Sequence, residues 1–288
     1  MQLIDGKKIS LEIKEELKRE ISALSVKPFL VAILVGENPA SISYVRGKGK
    51  ACDEIGMRSE VVNLPVDISE EDLLSVIEKY NNSSEVSGII VQLPLPKHIS
   101  EQRVIEKISV DKDVDGFHAV NLGKMIRCED AFLPATPAGI QQLLIRSGNP
   151  PQSKHVVVVG RSNIVGKPIA NILLQKGETA DATVTVVHSK TQNVSHYTKQ
   201  ADILIVAIGK PKFITADMVK EGTCIIDVGV NRIEDSSKKS GFRLVGDVDF
   251  ENVKDKVKAI TPVPGGVGPM TITMLLVNTL KAYKLLNK

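Results

Sequence analysis

No two cysteines in this sequence stand close enough to share a task. Cys52, Cys128 and Cys224 are far apart and odd in number, and no CxxC occurs. That argues against a disulfide framework and against zinc, and it leads us to expect reduced thiols in a cytoplasm. A dense basic block is also missing. Lys and Arg are scattered among Asp and Glu, and the formal net charge is only +3, so no nucleic-acid partner is expected. No apolar run is long enough to span a bilayer, and Gln2, Asp5, Lys7 and Lys8 interrupt what a signal peptide would need, so no membrane partner is expected. Internal repeats and low-complexity tracts are absent. What is there is a chain of 288 residues, 42% hydrophobic and 25% charged, an ordinary globular composition with room for two modest domains.

The organising stretch is His155–Pro168, HVVVVGRSNIVGKP. Its run of valines reads as a strand buried on both faces, as in a parallel sheet. The strand passes through a glycine turn into a helix N-terminus, whose unpaired N–H groups and dipole favour an anion. This is the usual seat of a dinucleotide pyrophosphate. The fingerprint is not standard: Gly160 and Gly166 are present, but Ser162 stands where the second glycine of G-x-G-x-x-G belongs, and the last glycine comes one residue late. Taken alone, the stretch also fits an ordinary buried strand and turn.

Earlier in the chain, residues 9–25 carry apolar residues at helical spacing, and Phe29–Val35 is a buried strand ending at Gly36. Asn38 and Pro39 then predict a helix to about Ile55, closed by Gly56. On that helix Ser41, Tyr44 and Lys48 are spaced i, i+3, i+7, so a hydroxyl, a phenol and an amine share one narrow stripe, continued by Cys52 and Ile55. Gly47 and Gly49 each cost the helix about 1 kcal/mol relative to Ala, and close approach of another group is one reason for them. The alternative is a snorkelling surface lysine beside a core tyrosine with a wet tip. Glu60–Leu64 is a short strand, Ser69 caps the next helix, and Val86–Leu93 is another buried strand. Gln92 lies near its carboxyl end, where open α/β sheets place ligands; it is either a site residue or a satisfier of loop backbone. Ser100–Ile108 is a helix. The turn Lys112-Asp113-Val114-Asp115-Gly116 is acidic but lacks the further oxygen ligands of a calcium loop. Thr136 and Pro137 then restart a helix as cap and first residue.

Beyond the glycine turn, Thr183–His188 is the second strand of the nucleotide unit. NAD sites carry an acid at this strand's end. Here the end reads His188-Ser189-Lys190, with no acid. Together with Arg161, a planar fork suited to phosphate, this points to NADP, unless Arg161 simply faces water. Asp202–Ile208 and Thr223–Val228 are further buried strands, Thr215 caps a helix between them, and Arg232–Gly241 reads as an exposed charged loop. Leu244–Val248 is a last short strand. Thr261–Thr271 has too many Pro and Gly to be regular and makes a rigid loop that lets backbone approach a ligand. A helix from Met270 to the end follows.

Five stretches in order carry a resemblance: Tyr44-x-x-x-Lys48-x-Lys50-Ala51; Val91 to Pro96; Lys112 to Gly116; Gly160-Arg161-Ser162-x-Ile164-Val165-Gly166-x-Pro168; and Thr261 to Thr271. The chain resembles the bifunctional methylenetetrahydrofolate dehydrogenase/methenyltetrahydrofolate cyclohydrolases over essentially its whole length. That family uses a Gly-x-Ser-x-x-x-Gly variant of the fingerprint. The resemblance implies an α/β fold of two domains around a cleft: residues 1–137 plus 270–288 form the catalytic, folate-binding domain, and 138–269 a Rossmann-like, doubly wound NADP-binding domain. It also implies a homodimer acting on tetrahydrofolate derivatives.

Two reactions are implied: hydride transfer from 5,10-methylenetetrahydrofolate to NADP+, then hydrolysis of the methenyl cation to 10-formyltetrahydrofolate. The first needs positioning more than a proton carrier. The second needs proton transfer, which a lysine can perform when burial or a cationic neighbour lowers its pKa. The resemblance gives that role to Lys48, with Gln92 bonded to it and Tyr44 orienting it and stacking on folate. Ser41 supports them, Asp115 holds the pterin amino and ring N–H pair, and Pro264, Gly265 and Gly268 line the folate pocket. The cofactor falls to Gly160, Arg161, Ser162, Ile164, Gly166, Ser189 and Val230, and no metal is implied. One departure, a longer loop at Lys176–Ala182, bears on how strictly NADP is preferred over NAD. The competing readings are a monofunctional dehydrogenase, against which the intact Tyr44, Lys48 and Gln92 speak; an oxidoreductase of the shikimate type, against which the Pro-Gly-Gly loop and Asp115 speak; and a non-catalytic NADP-binding sensor.

Overall fold

The computed structural model describes residues 1–237 and 241–287. Contacts divide the chain into two compact units, Leu11–Ala135 with Ile272–Lys288, and Met1–Ser10 with Thr136–Thr271. In chain order the first half runs β1 (Gln2–Leu3), α1 (Gly6–Ser22), β2 (Phe29–Val35), α2 (Pro39–Ile55), β3 (Arg58–Leu64), α3 (Glu70–Asn81), β4 (Gly88–Val91), α4 (Glu101–Lys107), α5 (Ala119–Ile126) and α6 (Ala135–Arg146). The second half runs β5 (His155–Val159), α7 (Gly166–Leu173), β6 (Thr183–Val187), α8 (Val194–Thr198), β7 (Ile203–Val206), β8 (Cys224–Asp227), β9 (Asn231–Glu234), β10 (Phe242–Val245), α9 (Phe250–Val253), β11 (Ala259–Ile260) and α10 (Val267–Leu286).

The unit holding Leu11–Ala135 is built on a parallel sheet of order β3-β2-β4. Every residue of β2 is buried, as its unbroken apolar run requires. Its side chains pack with Leu73 and Ile77 of α3 and Val104 of α4. Ser69 caps α3 by accepting from Asp72 N at 3.1 Å. The chain leaves β2 for β3 on one side and returns to β4 on the other. Strand order therefore reverses beside β2, and the carboxyl ends there are where such sheets bind ligands.

The other unit carries a six-stranded sheet of order β1-β11-β8-β7-β5-β6, parallel throughout. Its core joins Val157, Val159, Leu204, Val206, Ile225 and Ile260. Here the order reverses beside β5, with β6 on one side and β7 on the other.

Several sequence expectations are corrected. Gln2–Leu3 pairs with β11 as an edge strand; two residues are too few for any periodicity to show. Thr136 lies inside α6 and bonds Thr271 Oγ1 at 2.9 Å, so it is no cap. Thr215 caps no helix: only a single 3₁₀ turn, Ala216–Met218, follows it, and its hydroxyl goes to Asp217. The charged segment after Val230 forms the antiparallel pair β9–β10, with Arg232 stacked 3.8 Å over the Phe242 ring; Lys238–Ser240 of the expected loop lie outside the described residues. The last helix begins at Val267, before Met270.

Candidate active site

α2 starts directly after the turn that follows β2. Asn38 Oδ1 accepts from Ser41 N at 3.3 Å, satisfying one free donor of the helix start. The stripe read from sequence is divided by the fold. Ser41, Lys48 (8% exposed), Cys52 and Ile55 are buried, while Tyr44 is 50% exposed. A Cβ at Gly47 would meet Ile272 at 3.6 Å and one at Gly49 would meet Ser59 at 3.8 Å, ordinary contacts, so no close approach demands either glycine.

Lys48 Nζ donates to Gln92 Oε1 at 3.1 Å. Gln92 is the first residue after β4, and its own N–H donates to Ile33 O of β2 at 2.9 Å. Its Nε2 donates to Leu93 O at 2.8 Å, which turns the amide oxygen towards the lysine. The pair thus stands where strand order reverses. A buried ammonium is costly unless paired. Among the described residues Gln92 is its one hydrogen-bond partner, and an ammonium has three donors, so it keeps donors to offer a ligand. Beneath it, burial pushes the Cys52 thiol up to about 12, which leaves that thiol inert.

The acidic turn separates into parts with different work. Lys112 Nζ donates to Tyr80 O, Asn81 O and Ser83 O at 3.1, 2.7 and 2.6 Å, closing the end of α3 as cations do at helix C-termini. Asp113 accepts from Phe117 N, His118 N and Asn121 Nδ2, and its backbone pairs with Ile89 of β4 in a single parallel rung. Both residues hold the turn. Asp115 is half-buried, and among the described residues no donor reaches its carboxylate. Burial raises its pKa, and the Lys48 charge pulls the other way. Gly116 has φ +73°, and a Cβ there would sit 2.7 Å from the Leu133 backbone. Asn278 of α10 donates through Nδ2 to Val114 O at 2.8 Å and Leu133 O at 2.9 Å, fixing the backbone next to Asp115. Sequence reasoning missed Asn278. The signal was a polar residue three after Leu275 on that helix's buried face.

In the other unit, a cavity of about 520 Å³ opens at the carboxyl ends of β5 and β7. Gly160, Arg161, Ser162 and Ser189 line it, as the sequence suggested, with His188, Ile208 and Lys210 beside them. Lys210 is a cation that sequence reasoning missed; it stands just past the glycine that ends β7's loop. Gly160 has φ +123° and no room for a Cβ, which would lie 2.2 Å from Ala207 O; at Gly166 it would lie 2.2 Å from Gly160 O. Those two glycines are required by backbone contact. Ser162 Oγ accepts from Val165 N and Gly166 N at 3.2 and 3.3 Å, taking up donors at the start of α7. Ile164 and Val230 are 46% and 53% exposed and stand outside the cavity lining. A Gly-required turn, a helix start, Arg161 and Lys210 together fit a dinucleotide phosphate chain.

The Pro-Gly stretch lies in this second unit. Gly265 has φ +107°, and its carbonyl accepts from Lys7 N at 3.1 Å. Pro264 and Gly268 are exposed, and Gly268 falls within the first turn of α10, with open space around it.

Comparison with known proteins adds to this geometry. Residues 4–115 match the model for the tetrahydrofolate dehydrogenase/cyclohydrolase catalytic domain, and residues 134–287 match that for the NAD(P)-binding domain of the same family. The chain belongs to the tetrahydrofolate dehydrogenase/cyclohydrolase family. Among its relatives, the bifunctional protein FolD of Cytophaga hutchinsonii is 55% identical, with 99% of this chain and 100% of that protein covered. The one from Syntrophus aciditrophicus is 58% identical over 98% and 97%. The solved bifunctional FolD of Campylobacter jejuni superposes with a TM-score of 0.92 at 48% identity, covering 99% of each chain.

Proposed function

We propose that this chain is a bifunctional one-carbon folate enzyme. It oxidises 5,10-methylenetetrahydrofolate to 5,10-methenyltetrahydrofolate with NADP+ and hydrolyses the methenyl cation to 10-formyltetrahydrofolate. The observation that carries the reading is the buried Lys48 Nζ on Gln92 Oε1, at a strand-order reversal.

Asp115 accepts two parallel hydrogen bonds from the pterin amino and ring N–H groups. Tyr44, half in solvent, stacks on the folate, and Ser41 supports the lysine. Pro264, Gly265 and Gly268 complete the folate contacts. In the hydrolysis a water oxygen adds to the cationic carbon and loses one proton, which the Lys48 Nζ takes as a free amine and returns to N5 as the C–N5 bond breaks with its electron pair going to N5. The remaining hydroxyl proton leaves to solvent as the formyl C=O forms, so one proton is released overall. Gln92 holds the lysine in line.

NADP+ supplies the hydride acceptor when bound. Gly160, Ser162 and Gly166 hold its pyrophosphate at the start of α7, with Ile164 and Val230 flanking, and Arg161 and Ser189 receive the 2′-phosphate. A relative from Trypanosoma brucei, 38% identical with a TM-score of 0.92 over 98% of this chain and 97% of its own, was solved with NADP cofactor and an inhibitor, which supports that choice.

Residues 1–137 plus 270–288 serve the folate and 138–269 the nucleotide, with two exceptions: Met1–Ser10 pack in the nucleotide unit, and Pro264, Gly265 and Gly268 are counted with the folate. The reading extends to a homodimer in the cytoplasm, with no nucleic-acid or membrane partner. Three widely spaced cysteines support the compartment, and scattered basic residues the lack of a nucleic-acid partner. The test mixes purified protein with 5,10-methylenetetrahydrofolate and NADP+, then NAD+, and follows reduced cofactor and methenyl product by absorbance. Reduction without methenyl accumulation is expected. Accumulating methenyl overturns the hydrolase assignment, and no reduction with either cofactor overturns the dehydrogenase.

A further inference from the structure

Asp227 and Asp247 are buried carboxylates behind the loop that follows β7, and among the described residues no salt bridge reaches either. Asp247 Oδ2 accepts from Ile208 N at 2.8 Å and Gly209 N at 2.9 Å, and its Oδ1 accepts from Asn231 Nδ2 at 2.8 Å. Asp227, at the end of β8, accepts from Gly229 N, Asp247 N and Val248 N at 3.0, 2.9 and 3.0 Å. Its own N–H donates to Thr261 Oγ1 at 2.8 Å. The backbone is cleared for both: a Cβ at Gly229 would lie 2.3 Å from the Asp247 carboxyl carbon, and one at Gly246 1.8 Å from Asp227 Oδ2.

Burying carboxylates with only N–H donors for partners is expensive. What Asp247 provides is direction. It turns two successive N–H groups, at the residues that follow β7, into the protein. Ala207, Ile208 and Lys210 are then left as cavity wall. Through Asn231 it ties the loop after β8, which carries Val230, to the same point. We infer that Asp247 is a positioning residue for the nicotinamide nucleotide site. It sets the wall formed by Ile208 and Lys210, and Asp227 braces it through Asp247 N. The inference rests on the proposed NADP-dependent activity.

The experiment compares Asp247→Asn and the milder Asn231→Ala with the unaltered protein. NADP+ affinity is measured by calorimetry, KM for NADP+ by the dehydrogenase assay, and methenyl hydrolysis in the absence of nucleotide. An amide at 247 cannot accept from all three donors. D247N should therefore weaken NADP+ binding about tenfold or more and raise that KM, while hydrolysis stays within about twofold. N231A should shift NADP+ binding in the same direction by less. Unchanged NADP+ affinity in folded D247N overturns the inference, as does parallel loss of both activities. If D247N does not fold, N231A decides: weaker NADP+ binding with hydrolysis intact supports the role, and unchanged binding overturns it. Failure of the unaltered protein to bind NADP+ or hydrolyse methenyl substrate would count against the functional reading instead.

Discussion

Lys48 of α2 and Gln92 after β4, 44 residues apart in sequence, meet at 3.1 Å through a buried ammonium and a neutral amide oxygen. A carboxylate in Gln92's place would lock the lysine into an ion pair. The amide holds it in position without claiming its charge, which is what a group passing a proton needs.

Replacing the amine should therefore separate the two activities. Lys48→Met keeps an unbranched side chain of similar length and removes the proton carrier. Hydrolysis should fall by about a hundredfold or more, while part of the hydride transfer survives, so methenyl product should accumulate in the absorbance assay. Equal and complete loss of both steps in folded protein would contradict this role.

Asn278→Leu tests the Asp115 turn. It leaves Val114 O and Leu133 O without their donor, a cost of about 1–3 kcal/mol per buried group. The melting midpoint should drop and KM for the folate substrate should rise, with Kd for NADP+ unmoved. A rise in the NADP+ constant alone would remove Asn278 from the folate side.

Arg161 tests the coenzyme. Arg161→Ala should raise KM for NADP+ about tenfold or more, in line with loss of a charge-assisted phosphate contact, and change that for NAD+ little. Similar changes in both constants would show that Arg161 does not read the 2′-phosphate.

Asp227 makes a pH prediction. Burial, with the Asp247 charge adding, pushes its carboxyl up to about 7 from the usual 3.8. The folded protein then holds a proton that the unfolded chain has released. Folded protein binds more protons between those values, so this group's contribution to stability falls as pH rises through the window. Denaturant unfolding of the unaltered protein and Asp227→Asn, from pH 4.5 to 7, should show the stability gap between them shrinking as pH rises. A widening gap would reverse the assignment.

Legibility of the fold followed burial. β2 and α2 begin and end where their sequence patterns do, because an unbroken apolar run and an Asn-Pro start admit few alternatives. Ser69 was readable as a cap for the same reason. The β9–β10 pair was legible only in part: a strand was expected at Leu244–Val248 where β10 runs Phe242–Val245, and β9 has a single apolar residue, Ile233, too little for a pattern. α5 was missed: it is eight residues long with a glycine inside, and its N-cap is His118, a residue type that seldom advertises a helix start. At the site, Lys48 and Gln92 were each legible as candidates from helix spacing and strand end, but their pairing came only from the resemblance. Lys210 and Asp247 were not legible, because each acts through a loop that sequence spacing does not place.

Ser162 gives the nucleotide turn a property that a glycine would withhold. Its hydroxyl already engages Val165 N and Gly166 N, so α7 has part of its positive end occupied before any anion arrives. The turn therefore keeps its shape with or without an anion, and a ligand arriving at α7 meets a loop already set rather than one it must order.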